Sequence, residues 1–304
     1  DFCLSRGLGD VYKRQGVMGS GMAKNAARAG LNVRAWSRPL EHAVRLAGDG
    51  VAVAPTAAAA VDGAAITVTM VPDADAIESF AYGPEGFLDA MDSDAVWVQS
   101  GTVGVGPADG LIEVARQHSV TIVDAPVLGS REPAERGELV ILASGEKEAI
   151  ARCRPLFDAI SRRVLELGPA GNGSRMKMVT NSWLVSSVAA IAESIALAQA
   201  LGLDGQKFLE AIDGSGVDMG YAQTKGAMMI ARDYPVQMSI ANTAKDARLA
   251  LAAARDQRLP ARVIAAATDL IEAAASDGWA EEDMAAAYEA AIAAAETPNP
   301  GDER

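Results

Sequence analysis

Gly168-Pro-Ala-Gly171-Asn-Gly173-Ser-Arg-Met-Lys177-Met-Val-Thr-Asn181 is the stretch on which the chain turns. Upstream of it, short apolar runs alternate with helical spacings; downstream, apolar residues recur at helical spacing almost to the end. That order reads as an α/β half followed by an all-α half. The three glycines let backbone come close to a ligand or to another segment, and a helix begins at Met176. Lys177 and Asn181 are four residues apart and share one face of it. An ammonium and an amide on one face can orient a carbonyl and give it a proton. Read alone, such a pair is more often a solvated surface pair.

The 304 residues suffice for two domains with buried cores. A net charge of -13 argues against nucleic acid or an anionic membrane as partner. No apolar run is expected to supply the roughly 20 residues that span a bilayer, and the N-terminus lacks the apolar core of a signal peptide. Two cysteines, Cys3 and Cys153, make no disulfide framework and point to a reducing cytoplasm. His42 and His118 read as surface residues of helices, and without Cys-x-x-Cys or His-Glu-x-x-His no metal site is expected.

Near the start, Gly16-Val17-Met18-Gly19-Ser-Gly-Met-Ala-Lys-Asn25 reads as the second half of a phosphate-binding turn entering a helix. The full fingerprint needs Gly at position 14 and an apolar strand before it. Arg14 stands there instead, after Asp10-Val-Tyr-Lys13, which is too charged for a buried parallel strand. The run Ser5 to Gln15 looks like a translated sequencing-library adapter. Residues 1–15 are therefore expected to be a non-native segment, with the sheet short of its central strand.

From Gly16 on, strands are expected over 31–36, 51–53, 65–70, 95–98, 121–123, 139–143 and 163–167. Helices are expected over 17–29, 41–47, 56–61, 77–80, 87–91, 108–118 and 147–160. Only helices follow, over 174–201, 204–213, 218–230, 240–257, 260–276 and 281–295. The reading is an α/β Rossmann-type doubly wound domain over 16–168, an all-α domain over 169–297 and a tail over 298–304. Arg38, just past the second strand with no acidic residue beside it, favours the 2′-phosphate of NADP over the free ribose of NAD. The Ala-rich helical half has more apolar face than one small domain buries, which points to a homodimer or tetramer.

With these placements, the spacing Gly-x-x-Gly-x-Gly-x-x-x-Lys-x-x-x-Asn at 168–181 resembles the catalytic segment of the β-hydroxyacid dehydrogenase family. That family includes 3-hydroxyisobutyrate dehydrogenases and glyoxylate or succinic semialdehyde reductases. The resemblance covers about residues 16–295 through four segments in order. It implies that Lys177 is the proton donor and that Asn181 fixes the lysine and the substrate. It places Gly16, Val17, Met18, Gly19, Ser37, Arg38, Met70, Val71 and Pro72 along NADP, with NAD as second choice. In Gln99-Ser-Gly101-Thr102 it puts Thr102 near both nicotinamide and substrate, and in Ala244-Lys245-Asp246 it has Lys245 reach the cofactor.

Asp124-Ala-Pro-Val127-Leu128-Gly129-Ser130 resembles the family's substrate-binding motif. A glycine turn after a strand offers N–H groups to a carboxylate there. Gly101 and Leu128 both stand where relatives carry serine, so two side-chain donors are lost. The version of the motif over 131–143 looks closer to the glyoxylate and succinic semialdehyde reductase branch. The implied activity is NADPH-dependent interconversion of a small aldehyde-acid and its hydroxy acid. Two alternatives remain: imine reduction on the same fold, which Leu128 favours and Lys177 opposes, and a catalytically silent dinucleotide-binding module, which Lys177 opposes.

Overall fold

The computed structural model describes residues 2–5 and 17–296, and the chain divides into two compact units, Asp1–Met178 and Val179–Arg304. Gly16, the adapter-like residues after Ser5 and the tail from residue 297 lie outside the described residues.

The first unit is built on six parallel strands: β1 (Phe2–Ser5), β2 (Val33–Ala35), β3 (Val51–Val53), β4 (Ile66–Thr69), β5 (Val96–Gln99) and β6 (Thr121–Asp124). Their order is β3-β2-β1-β4-β5-β6, that of a doubly wound dinucleotide-binding sheet. The expectation that the central strand is missing is therefore corrected. Phe2 pairs with Val33 on one side and Ile66 on the other, and Leu4 with Ala35 and Val68. Phe-Cys-Leu is too short an apolar run to announce a strand by its pattern.

A second sheet was not expected. It joins β7 (Val127–Leu128), β8 (Leu139–Ala143) and β9 (Ser161–Glu166), with β7 antiparallel and β9 parallel to β8. The short helix Arg131–Arg136, also not foreseen, connects β7 to β8. The helix Val17–Arg28 packs on it closely: a Cβ on Gly21 would lie 2.6 Å from the Ala134 carbonyl oxygen. One turn on, the Asn25 side chain donates to the carbonyls of Ala134 at 2.8 Å and Glu135 at 3.2 Å, satisfying the end of the short helix. Gly21 and Asn25 thus belong to the packing of the first helix.

Several helical expectations change: the helix expected over 41–47 ends at Val44, and the one expected over 281–295 starts only at Met284, as a 3-10 turn before Ala287–Glu296. Residues 87–91 form turns, because Phe87 N–H donates to Phe80 O and Leu88 N–H to Ala81 O, burying both side chains with Trp36, Phe80 and Trp97. Residues 147–160 make two helices, Lys147–Arg152 and Arg154–Ile160, meeting at Cys153. Pro155, with no N–H to donate, is tolerated only in the first turn of the second.

In the second unit the long helix Asn172–Ala200 continues from Val179 and is followed by Gly205–Ile212, Gly220–Ala231, Ile240–Asp256, Arg262–Ala274 and Ala287–Glu296. By length and composition this long helix could cross a membrane, contrary to the expectation that no run would. Its apolar positions Val185, Val188, Ile191 and Ile195 are instead buried with Met229, Ile264, Ile271 and Tyr288 in the core of the unit. A buried ion pair stands beside that core: Lys225 Nζ meets Asp283 Oδ1 at 2.5 Å. Asp283 also accepts from the N–H groups of Gln237, Met238 and Ala285, at 2.9, 3.2 and 3.0 Å. The carboxylate thereby secures the chain that leads into helix Ile240–Asp256.

Candidate active site

At the carboxyl ends of β5 and β6 the first unit gathers most of the expected substrate residues. The loop after β5 is pinned by Gln99, whose carboxamide accepts from Gly101 N–H at 2.6 Å and donates to Gly101 O at 2.9 Å. A Cβ on Gly101 would lie 2.3 Å from Val71 O, so a serine cannot occupy this position with the backbone as it stands. Thr102 follows, half-buried. Gln99 O accepts from Ala125 N–H at 2.8 Å, tying this loop to the start of the Asp124–Ser130 segment.

Lys177 rises from the second turn of the long helix and is 8% exposed. A buried ammonium needs acceptors. One is the carbonyl oxygen of Val127, 2.9 Å from Nζ and in the middle of the Asp124–Ser130 segment. Leu128 is half-buried, and Gly129, at φ +126°, sits in a region that side-chain-bearing residues avoid. Ser130 is the N-terminal flanking residue of helix Arg131–Arg136.

The helix bearing Lys177 is held at its first turn by a cluster that the sequence did not announce. Asp124, 1% exposed, accepts from Ser174 N–H at 2.8 Å, Ser174 Oγ–H at 2.7 Å and Ser144 Oγ–H at 3.1 Å. Ser144 Oγ in turn accepts from Gly173 N–H at 2.9 Å. Burial pushes the Asp124 carboxyl up, and the bonds from Ser174 and Ser144 pull it back. Gly173 is needed for the approach, since a Cβ there would lie 2.3 Å from Leu142 O. Two serines and an aspartate separated by up to 50 residues carry no spacing signal; the one hint was a charged residue ending an apolar strand.

Among the expected cofactor residues, Val17, Met18 and Gly19 begin helix Val17–Arg28, as a phosphate-binding helix start requires. Past β2, Ser37 turns inward: its hydroxyl donates to Pro39 O at 2.7 Å and accepts from Ala43 N–H at 2.9 Å. Arg38 stays partly exposed, its guanidinium 5.6 Å above the Trp36 ring. After β4, Met70 and Pro72 are half-buried, while Val71 packs with Trp36, Ile77 and Phe80. The carboxyl ends of parallel strands, a helix start after the central strand and a partly exposed guanidinium past β2 fit a phosphorylated dinucleotide.

The second unit brings Asn181 and Lys245 onto one carboxylate. Asn181 Nδ2 donates to Asp246 Oδ2 at 3.0 Å, and Lys245 Nζ lies 2.9 Å from Asp246 Oδ1. Asp246 is 5% exposed and was missed as a site residue, although it stands next to one.

Comparison with known proteins agrees with this architecture. Residues 15–168 match the model of the NAD binding domain of 6-phosphogluconate dehydrogenase, and residues 171–291 that of the NAD-binding domain of NADP-dependent 3-hydroxyisobutyrate dehydrogenase. The chain is 32% identical to glyoxylate/succinic semialdehyde reductase 2 of Arabidopsis thaliana, over 92% of this chain and 78% of the relative. It is 30% identical to glyoxylate/succinic semialdehyde reductase 1 of the same plant, over 90% of this chain and 95% of the relative. The solved 3-hydroxyisobutyrate dehydrogenase of Mycobacterium tuberculosis superposes with a TM-score of 0.83 at 27% identity, covering 95% of this chain and 98% of that one. With the sheet order, the all-α second unit and these matches together, the chain belongs to the β-hydroxyacid dehydrogenase family of NAD(P)-dependent oxidoreductases.

Proposed function

We propose that this enzyme reduces a small aldehyde-acid, of the semialdehyde or glyoxylate type, to its hydroxy acid with NADPH, and that Lys177 gives the proton. The observation that carries the reading is the buried Lys177 ammonium, 2.9 Å from a carbonyl of the Asp124–Ser130 segment. The nicotinamide, when bound, supplies a hydride to the carbonyl carbon. Lys177 Nζ donates to the carbonyl oxygen and passes its proton as the alkoxide develops. The bond from Nζ to Val127 O holds the ammonium beside the Asp124–Ser130 segment. The Thr102 hydroxyl and the N–H groups of Gly129 and Ser130 receive the substrate carboxylate. With Leu128 and Gly101 lacking hydroxyls, the backbone does more of that binding.

Arg38 pairs with the 2′-phosphate, Gly16 to Gly19 receive the pyrophosphate, and Lys245 is assigned to the cofactor. Met70, Val71 and Pro72 line it, and Asn181 orients the substrate oxygen. The names of the Arabidopsis relatives support the substrate class. The test is steady-state reduction of glyoxylate and succinic semialdehyde against a panel of cyclic imines, each with NADPH and NADH. Turnover of an acid with NADPH preferred supports the reading. Turnover of imines alone favours the alternative that the apolar Leu128 admits.

A homodimer belongs to the same proposal. On helix Asn172–Ala200, Val179, Trp183, Ala190 and Leu197 fall within an arc of about 40°, and Trp183 is 70% exposed. A bare indole among aliphatics marks a face that a second copy covers. Light scattering on Trp183→Glu tests it: the variant should run at half the parent mass. The low cysteine content supports a cytoplasmic setting. Residues 1–15 are proposed as a non-native segment, and replacing them with an apolar strand that ends in Gly-x should leave NADPH affinity intact or better.

A further inference from the structure

We infer that Asp124 is a positioning residue for Lys177: it anchors the first turn of the lysine's helix to the strand end from which the substrate segment departs. The inference deepens the function proposed above and rests on Lys177 being the proton donor.

Asp124 is the last residue of β6 and the first of the segment that contains Val127. Its neighbours make it a poor substrate ligand. One carboxylate oxygen takes the Ser174 hydroxyl, the other takes Ser174 N–H and the Ser144 hydroxyl, and the residue is 1% exposed. Its own N–H and C=O are committed as well, to Ser144 O at 2.9 Å and from Ser144 N–H at 2.8 Å. A group this fully satisfied neither moves a proton nor receives a ligand; it holds geometry.

What it holds is the helix. Ser174 and Lys177 are three residues apart, so they lie on one side of the helix within a turn of each other. The carboxylate sits where the N–H groups of the helix start, which have no partner within the helix, donate to it most favourably. Three residues after Asp124, Val127 O receives the Lys177 ammonium. The short segment 124–127 is therefore fastened to helix residues 174–177 at both ends, once by a carboxylate and once by the lysine. Rotation of the helix about its axis is blocked at the first fastening, so the second keeps its length. A third hold, Arg175 to Asp109 at 3.0 and 2.8 Å, is exposed and correspondingly weak.

If Asp124 acts through Lys177, its loss should lower kcat while leaving NADPH affinity alone, because a misplacement near 1 Å costs on the order of 100-fold. The experiment is a double-mutant cycle on the full chain, with NADPH and succinic semialdehyde, rates normalised to NADPH-binding sites. The variants are Asp124→Asn, Ser174→Ala, Ser174→Thr and Lys177→Ala, singly and with Lys177→Ala combined with each of the first two. The expected result is a 10- to 100-fold loss of kcat for Asp124→Asn and Ser174→Ala, substantial recovery with the hydroxyl kept in Ser174→Thr, and no further loss when either is added to Lys177→Ala. Losses that multiply in the combined variants would overturn the inference, since they show an effect independent of the lysine. If Lys177→Ala alone retains full turnover, the failure lies with the proposed function. Should Asp124→Asn not fold, the Ser174 pair decides on its own.

Discussion

The side-chain nitrogen of Asn181 donates to Asp246 Oδ2 over 3.0 Å, and the other oxygen of that carboxylate lies 2.9 Å from Lys245 Nζ. That bond fixes the orientation of the Asn181 amide through one of its two N–H donors. Asn181→Asp would set two carboxylates face to face at a buried position, which raises the pKa of one and destabilises the pair. It should cost about 1–3 kcal/mol of unfolding free energy in urea, more than Asp246→Asn does. Equal effects would mean that the Asn181–Asp246 bond contributes little.

The central strand gives a second prediction. Cys3 pairs with Arg34 on one side and Thr67 on the other, so a proline there removes a ladder donor in the middle of the sheet. Cys3→Pro should lower stability by about 3 kcal/mol or more and weaken NADPH binding, read by denaturation and fluorescence titration. An unchanged variant would contradict the assignment of Phe2–Ser5 to the sheet.

Gly21 gives a third. Its methyl group in Gly21→Ala would press on the Ala134 carbonyl from 2.6 Å, against backbone that cannot swing away. The expected loss is about 1–3 kcal/mol by overpacking, seen as a lower urea midpoint. A neutral or stabilising substitution would show that the helix Val17–Arg28 can shift freely on Arg131–Arg136.

The buried ion pair separates two kinds of loss. Asp283→Ala strips a partner from Lys225 and from three backbone N–H groups, and should cost about 3–5 kcal/mol. Lys225→Met leaves Asp283 with its N–H donors and should cost less. Thermal unfolding of both variants checks the order.

Much of the first unit was legible because Val96-Trp-Val98 and Leu139–Ala143 are apolar runs at strand length bounded by turn residues. Lys177 and Asn181 stood out by their spacing after three glycines. The strand at Phe2–Ser5 did not, because three apolar residues before a charged run are below the length at which a pattern declares itself. The second sheet was hidden because β7 is two residues long. Asp124 with Ser174, and Asn181 with Asp246, were illegible for a common reason: each joins positions 50 and 65 residues apart, and only the packing of strands and helices brings them together. Gly101 looked like a lost hydroxyl; next to Val71 O it is a steric requirement.

The most direct test of the account is kcat for succinic semialdehyde with saturating NADPH in the parent enzyme and in Lys177→Ala, with NADPH affinity measured beside it. General acid catalysis contributes roughly 10²–10⁴-fold, so the account predicts a loss of that size in kcat and an NADPH Kd within about threefold of the parent. Turnover that survives the substitution would contradict it.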